Sequence, residues 1–277
     1  MNNILISNDD GIYAEGIQVL AETLHNAGYE VLVVAPDRDR SGSGHSMTMD
    51  RPLKIQRIAH RMLSGNYTAY SCDGTPTDSV IMGIEVLHFP PDIVLSGINC
   101  GPNLGDDLTY SGTACAAMEG LIFGHPSMAV SLVCSSKAPE KHFETAAAAA
   151  LEIIRWVEGH PMSENVMYNV NVPNVPIERL NGVKITRKGI RRYVDKITVV
   201  KDPFGGEAYW VGGRIEDDLR EETDLWAVAN NYVSINTIHM EMTSFYHYNA
   251  AKETPMESEV FKRMKREKSV PSPDTEE

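Results

Sequence analysis

The sequence predicts an α/β fold: a mainly parallel sheet with helices on both faces, followed by a β-rich C-terminal extension. Three observations carry this. Residues 4–6 and 30–35 read as buried strands, the second stopped by Pro36. Between them Ile17, Leu20, Ala21 and Leu24 recur at helical spacing and close at Gly28. From about Val183 the texture shifts to short β segments separated by Gly and Asp.

The elements follow in order. Residues 92–95 form another apolar strand, expected to end at Ser96-Gly97. A short helix spans 114–123, a strand 128–133, and an Ala-rich helix 144–157 with Glu158-Gly159-His160-Pro161 as its stop. Gly74-Thr75-Pro76 reads as a strand-to-helix connection with Pro in the first helical turn. Strands alternating with helices of this length imply parallel pairing. The organisation expected is a catalytic core over residues 1–182, a β-rich region over 183–250 and a charged tail over 251–277. The tail suits a short exposed helix followed by a disordered Ser-Pro-Ser-Pro end.

The 277 residues suffice for a sizeable core, and a net charge of -13 argues against a nucleic-acid duplex or an anionic membrane as the main partner. No run reaches the ~18 apolar residues of a membrane span, and no signal peptide opens the chain, so a cytoplasmic protein is expected. Cys72, Cys100, Cys115 and Cys134 lie far apart without a CxxC pair, which argues against a zinc cage or disulfide scaffold and for buried free thiols.

In parallel sheets ligands sit at the carboxyl ends of the strands. Three polar loops fall on that rim: Asn8-Asp9-Asp10-Gly11, the stretch RDRSGSGHS from Arg38, and SGIN from Ser96 continuing to Ser111-Gly112-Thr113. Adjacent carboxylates after a strand repel unless a cation compensates, and oxygen donors of this kind select hard cations such as magnesium or manganese. The plainer reading is that one of them caps the helix containing Ile17. Ser111, Gly112 and Thr113 precede a helix, where free amides and hydroxyls make an anion site or an ordinary cap. His45 is a candidate acid/base or a plain loop histidine. Arg191 and Arg192 could meet a phosphate or form a solvated basic face, and the partners of His239 cannot be read from the sequence.

Taken together, ILISNDDG, VVAPDRDRSGSGHS and DIVLSGINCGPNLG with YSGT, in that order, resemble the SurE survival-protein family. The resemblance covers the whole α/β part and, weakly, the segments VSINTIH and DPFGGEAYW. It implies a Rossmann-like core and a phosphatase acting on nucleoside monophosphates (a 5'/3'-nucleotidase), with polyphosphate as a further substrate. It implies one divalent cation, magnesium or manganese, on Asp9, Asp10, Ser41 and Asn99, with Asp9, Asp10 and Asn99 catalytic. Phosphate-side groups map to Asn8, Ser111, Gly112 and Thr113. It also implies homodimers or homotetramers built by exchanging β-hairpin and C-terminal segments. The charged tail matches no pattern of the family.

The expected chemistry is in-line attack of a metal-activated water on phosphorus, with Ser111, Gly112 and Thr113 steadying the equatorial oxygens. Three rivals are weighed. A haloacid-dehalogenase-type phosphatase uses a DxD pattern, whereas these carboxylates are adjacent. A receiver-type signalling module needs a phosphoacceptor Asp after its third strand, where Asn99 stands instead. A sugar-nucleotide binding fold needs a second α/β half, which the β-rich part does not supply.

Overall fold

The computed structural model describes residues 1–59, 65–135, 137–195 and 197–267. Residues 1–240 form one compact unit, and a second begins at Glu241.

In chain order the first unit contains β1 (Asn3–Ser7), α1 (Glu15–Asn26), β2 (Glu30–Pro36), β3 (Ile55–Arg57), β4 (Thr68–Cys72), α2 (Pro76–Ile81), β5 (Ile93–Cys100), α3 (Gly112–Ile122), β6 (Ser127–Val133), α4 (Phe143–Gly159) and β7 (Val166–Pro173). It continues with β8 (Gly182–Thr186), β9 (Arg191–Val194), β10 (Ile197–Lys201), β11 (Glu207–Val211), β12 (Arg214–Asp217), α5 (Asp224–Ala229) and β13 (Tyr232–His239). The second unit holds two exposed helices, α6 (Phe245–Lys252) and α7 (Met256–Glu267). The expected disordered end lies outside the described residues. Among the described residues no helix is long and apolar enough to cross a membrane.

Nine strands form one sheet in the order β3-β4-β2-β1-β5-β6-β7-β13-β8. From β4 to β7 every pairing is parallel, while β3 and β13 run antiparallel to their neighbours β4 and β7. Two further ribbons, β10-β11 and β9-β12, stand apart from that sheet. The β-rich region is therefore divided: β8 and β13 complete the main sheet, and the other four strands pair off as two separate ribbons.

Alternation along β1 shows why the runs are apolar throughout. Ile4 and Ile6 pack with Ile17, Leu20, Ala146 and Ile154 beneath α1 and α4. Leu5 faces the other way and packs with Leu32, Val94 and Ala116, beside α2 and α3. A strand covered on both faces has no polar side to offer. At α2 the Gly-Thr-Pro reading holds: Thr75 caps the helix, exchanging bonds with Asp78, and Pro76 opens it.

The topology also sets where a ligand can sit. From β1 the chain moves to β2 on one side, and later to β5 on the other. That reversal splays the following loops apart and opens a crevice at the carboxyl ends of β1 and β5. β5 runs past the expected stop at Ser96-Gly97 and ends at Cys100. Its pairing with β6 shifts register between Ser96 and Asn99, and such an irregularity re-aims the side chains beyond it. Asn99 is thereby delivered from a strand end, not from a loop.

Helix α1 crosses β5 at Gly16, where a Cβ would lie 2.0 Å from the Ile98 carbonyl oxygen and 3.0 Å from a Phe143 ring carbon. Backbone cannot yield as a flexible side chain does. Gly16→Ala is expected to lower stability by about 3 kcal/mol, at the upper end of overpacking costs. Chemical denaturation would register this as a lower midpoint with an unchanged slope.

Candidate active site

The loop after β1 is held by its own first residue. The Asn8 side chain donates to the Gly11 carbonyl at 2.9 Å and accepts from the Gly11 amide at 3.1 Å. Its polar atoms are spent on the turn, it is fully buried, and it does not line the adjoining cavity. Its role is to shape the loop that carries Asp9 and Asp10.

Neither carboxylate caps α1, whose N-cap is Ala14 without a side-chain bond. Asp9 is 4% exposed, and its Oδ1 accepts from the Thr113 hydroxyl at 2.5 Å. Asp10 accepts through Oδ2 from the Cys100 amide at 3.0 Å. Each thus has one oxygen oriented by a distant part of the chain, and the Asp9 carboxyl also meets its own backbone amide. Burial pushes Asp9 up to about 6; the Thr113 bond opposes this and the charge of Asp10 adds to it. Asp10 is raised as well, first by burial, and its bond from Cys100 opposes the shift.

A cavity of about 590 Å³ opens here, lined among others by Asp9, Asp10, Ser41, Asn99 and Ser111. Asn99 donates its Nδ2 to the Gly101 carbonyl at 3.0 Å, which leaves its amide oxygen without a partner among the described residues. The four residues expected to share a cation therefore face one space and keep oxygens available. Two carboxylates, a hydroxyl and an amide oxygen form a donor set suited to a hard divalent cation. Among the described residues no three or more His, Cys, Asp and Glu converge.

The third loop enters through α3. Ser111 caps it, accepting from the Ala114 amide at 3.0 Å. The next two amides, of Gly112 and Thr113, come too early in the helix to find an intrahelical acceptor. Gly112 permits the close approach: a Cβ there would lie 2.8 Å from the Asp9 Cβ and 2.9 Å from the Ser43 Oγ. Thr113 is itself buried and reaches the cavity only through Asp9.

Several residues depart from the readings made of the sequence. Arg191 does not await a phosphate: it is buried, binds Asp217 through two nitrogens and Asp107 through a third. Arg192 lies on the exposed side of the same strand. His45 Nε2 sits 2.8 Å from the buried Glu119 of α3, so it fastens the second loop to that helix and does not line the cavity. His239 ends β13.

The cavity also has walls that no motif announced. Tyr110, which is 70% exposed, and Asp107 line it; Tyr193, Val211 and Gly212 arrive from the β-rich region. Tyr193 donates to Asp107 at 2.7 Å, and burial followed by that bond pushes its phenol up to about 12. A signal existed in the aromatic residues of IRRYVD and YWVGG, but their partners were far away in sequence. Cys100 and Cys134, 34 positions apart, are brought to an Sγ–Sγ distance of 3.4 Å.

Comparison with known proteins agrees with the motifs. The profile of the family described as "Survival protein SurE" matches residues 4–195. The "5'-nucleotidase SurE" of Stenotrophomonas maltophilia (strain K279a) is 48% identical over 245 residues, covering 87% of this chain and 91% of that protein. The protein of the same name from Aeromonas hydrophila is 43% identical over 244 residues, covering 87% and 94%. The crystal structure of the SurE protein from Aquifex aeolicus is 40% identical and superposes with a TM-score of 0.77 over 90% of this chain and 98% of that one.

The raised Asp9 has a consequence for stability. A carboxyl with a folded-state pKa above its unfolded value stabilises the fold while protonated, and that contribution fades as pH rises. In chelator it should be complete below about 4 and gone above about 6, a loss of roughly 3 kcal/mol for the two-unit shift. Asp9→Asn keeps the oxygen facing Thr113 and removes the charge. In chelator the variant should unfold at higher temperature than the parent at pH 7, with the gap closing toward pH 4. Scanning calorimetry across that range measures it.

Proposed function

The chain belongs to the SurE family, and on that premise we propose that it is a phosphomonoesterase that releases inorganic phosphate from nucleoside monophosphates. The observation that carries the reading is the gathering of Asp9, Asp10, Ser41, Asn99 and Ser111 around one cavity at the topological switch point of the sheet. Membership in this family replaces the haloacid-dehalogenase-type and receiver readings.

Asp9, Asp10, Ser41 and Asn99 would hold a divalent cation, magnesium or manganese. When bound, such an ion polarises a phosphoryl oxygen and acidifies a coordinated water. The chain's own residues do the rest. Asp9 and Asp10 bring the negative charge that recruits a cation, and the Thr113 hydroxyl and Cys100 amide keep each carboxylate from rotating. The Gly112 and Thr113 amides offer donors to an anion at the start of α3. Ser111 accepts from Ala114 and keeps its own proton for a phosphoryl oxygen. Donors fixed in advance spend little reorganisation when charge develops. Tyr110, Tyr193 and Val211 supply aromatic and apolar wall for the nucleoside.

Assembly follows the same reading. The β10-β11 ribbon exposes Ile197, Val199, Tyr209, Trp210 and Val211, an apolar load that suits a homodimer or homotetramer formed by segment exchange. A cytoplasmic setting belongs to the same proposal.

Purified protein should release phosphate from nucleoside monophosphates when magnesium or manganese is supplied, and chelation should stop it. Asp9→Asn and Asp10→Asn should each lower kcat/KM by roughly 100-fold or more, about 3 kcal/mol of transition-state stabilisation. Turnover that survives chelation, or near-parental rates in either variant, would sink the reading.

A further inference from the structure

We propose that Cys100 and Cys134 form a reversible disulfide that switches the site off. The pair lies at the rim of the catalytic cavity, where β5 ends and the chain has just left β6. Their sulfurs are 3.4 Å apart, so closure to the ~2.05 Å of an S–S bond asks for little more than an ångström of approach. Both residues are partly accessible, unlike Cys72 and Cys115, which are buried. Cys100 lines the open cavity and Cys134 does not.

Burial and the neighbouring sulfur push the Cys134 thiol up to about 12. Cys100 is thus the sulfur that an oxidant entering the cavity meets first. With a hydroperoxide, the Cys100 sulfur attacks the O–O bond and becomes a sulfenic acid, releasing water or an alcohol. The Cys134 sulfur then attacks the sulfenic sulfur and expels water. Two thiols and one peroxide thus become one disulfide, one water from the second step, and one water or alcohol from the first. A dithiol returns both thiols by exchange.

The consequence for catalysis runs through the backbone. The Cys100 amide orients Asp10, and Asn99 is the preceding residue. Drawing Cys100 toward Cys134 displaces both. Displacements near 1 Å at a reacting centre cost on the order of 100-fold in rate. This effect on turnover rests on the phosphatase reading; the pairing itself does not.

The test treats the full-length protein with hydrogen peroxide, then maps its peptides without reduction. A Cys100–Cys134 cross-linked peptide is expected, with the chain lighter by two hydrogens. Phosphate release should fall at least tenfold, and dithiothreitol should restore it. Cys134→Ser should keep the parental rate before treatment and form no cross-link. Treated with oxidised glutathione instead, this variant should stop at a glutathione mixed disulfide on Cys100, whereas the parental protein should go on to the dithiothreitol-reversible intramolecular bond. Absence of the cross-linked peptide in the parent overturns the proposal, and so does a cross-link that leaves turnover unchanged. If the reduced protein releases no phosphate, the reading of the function has failed, while the peptide map still decides the pairing.

Discussion

Two adjacent carboxylates, one of them almost wholly buried, follow the end of β1 and must be accommodated. Burial disfavours the charge of both, the charge of Asp10 works against Asp9, and Asp39 works against each of them. Against this, Asp10 gains only a minor contribution from Lys141. The protein answers with single oriented hydrogen bonds, from Thr113 and from the Cys100 amide. These fix direction without supplying charge. A fold that carries such a pair gives up stability locally, as perturbed carboxyls at functional sites commonly do.

Much of the surrounding architecture serves that constraint. Asp9 needs Thr113, so α3 must begin beside the end of β1, and only a glycine at position 112 leaves room for its backbone. Asp10 needs the Cys100 amide, so β5 must outrun β1, and the register shift beyond Ser96 accompanies that extension. Gly16 then lets α1 lie directly against the lengthened strand. The second loop, which carries Ser41, is fastened to the body of α3 through His45 and Glu119. Three distant segments thus converge because each is tied to the same two elements, α3 and the end of β5.

What could be read from the sequence was whatever depends on local chemistry. The strands at residues 4–6 and 30–35, the helix through Ile17 and Leu24, and the Thr75 cap are all set by neighbours within a few positions, and each stands where it was expected. The positions of the three polar loops followed from the rule that parallel strands end on one rim. What escaped was set by contacts across long separations. The strand through Asn99 was cut short because Gly97 looked like a stop, and only its pairing with β6 carries it onward. Arg191 looked free because Asp107 and Asp217 lie 84 and 26 positions away. The two cysteines looked solitary for the same reason.

The β-rich region shows why such distant contacts matter for the chemistry. Considered as sequence it seemed an appendage, yet it builds one wall of the cavity. Arg191 is buried between Asp107 and Asp217, and removing either acid would leave a guanidinium poorly compensated in a low-dielectric place. Asp107 also accepts the Tyr193 hydroxyl, so one carboxylate fixes both the strand β9 and the ring that faces the cavity. The loop that leads into Ser111 is therefore clamped from outside by the same residues that enclose the ligand space. A core truncated at residue 182 would retain Asp9, Asp10, Ser41 and Asn99, but it would lose Arg191 and Tyr193 and leave Asp107 charged and unpaired. The division between a catalytic part and an added part is one of sequence texture; in the folded protein the site belongs to both.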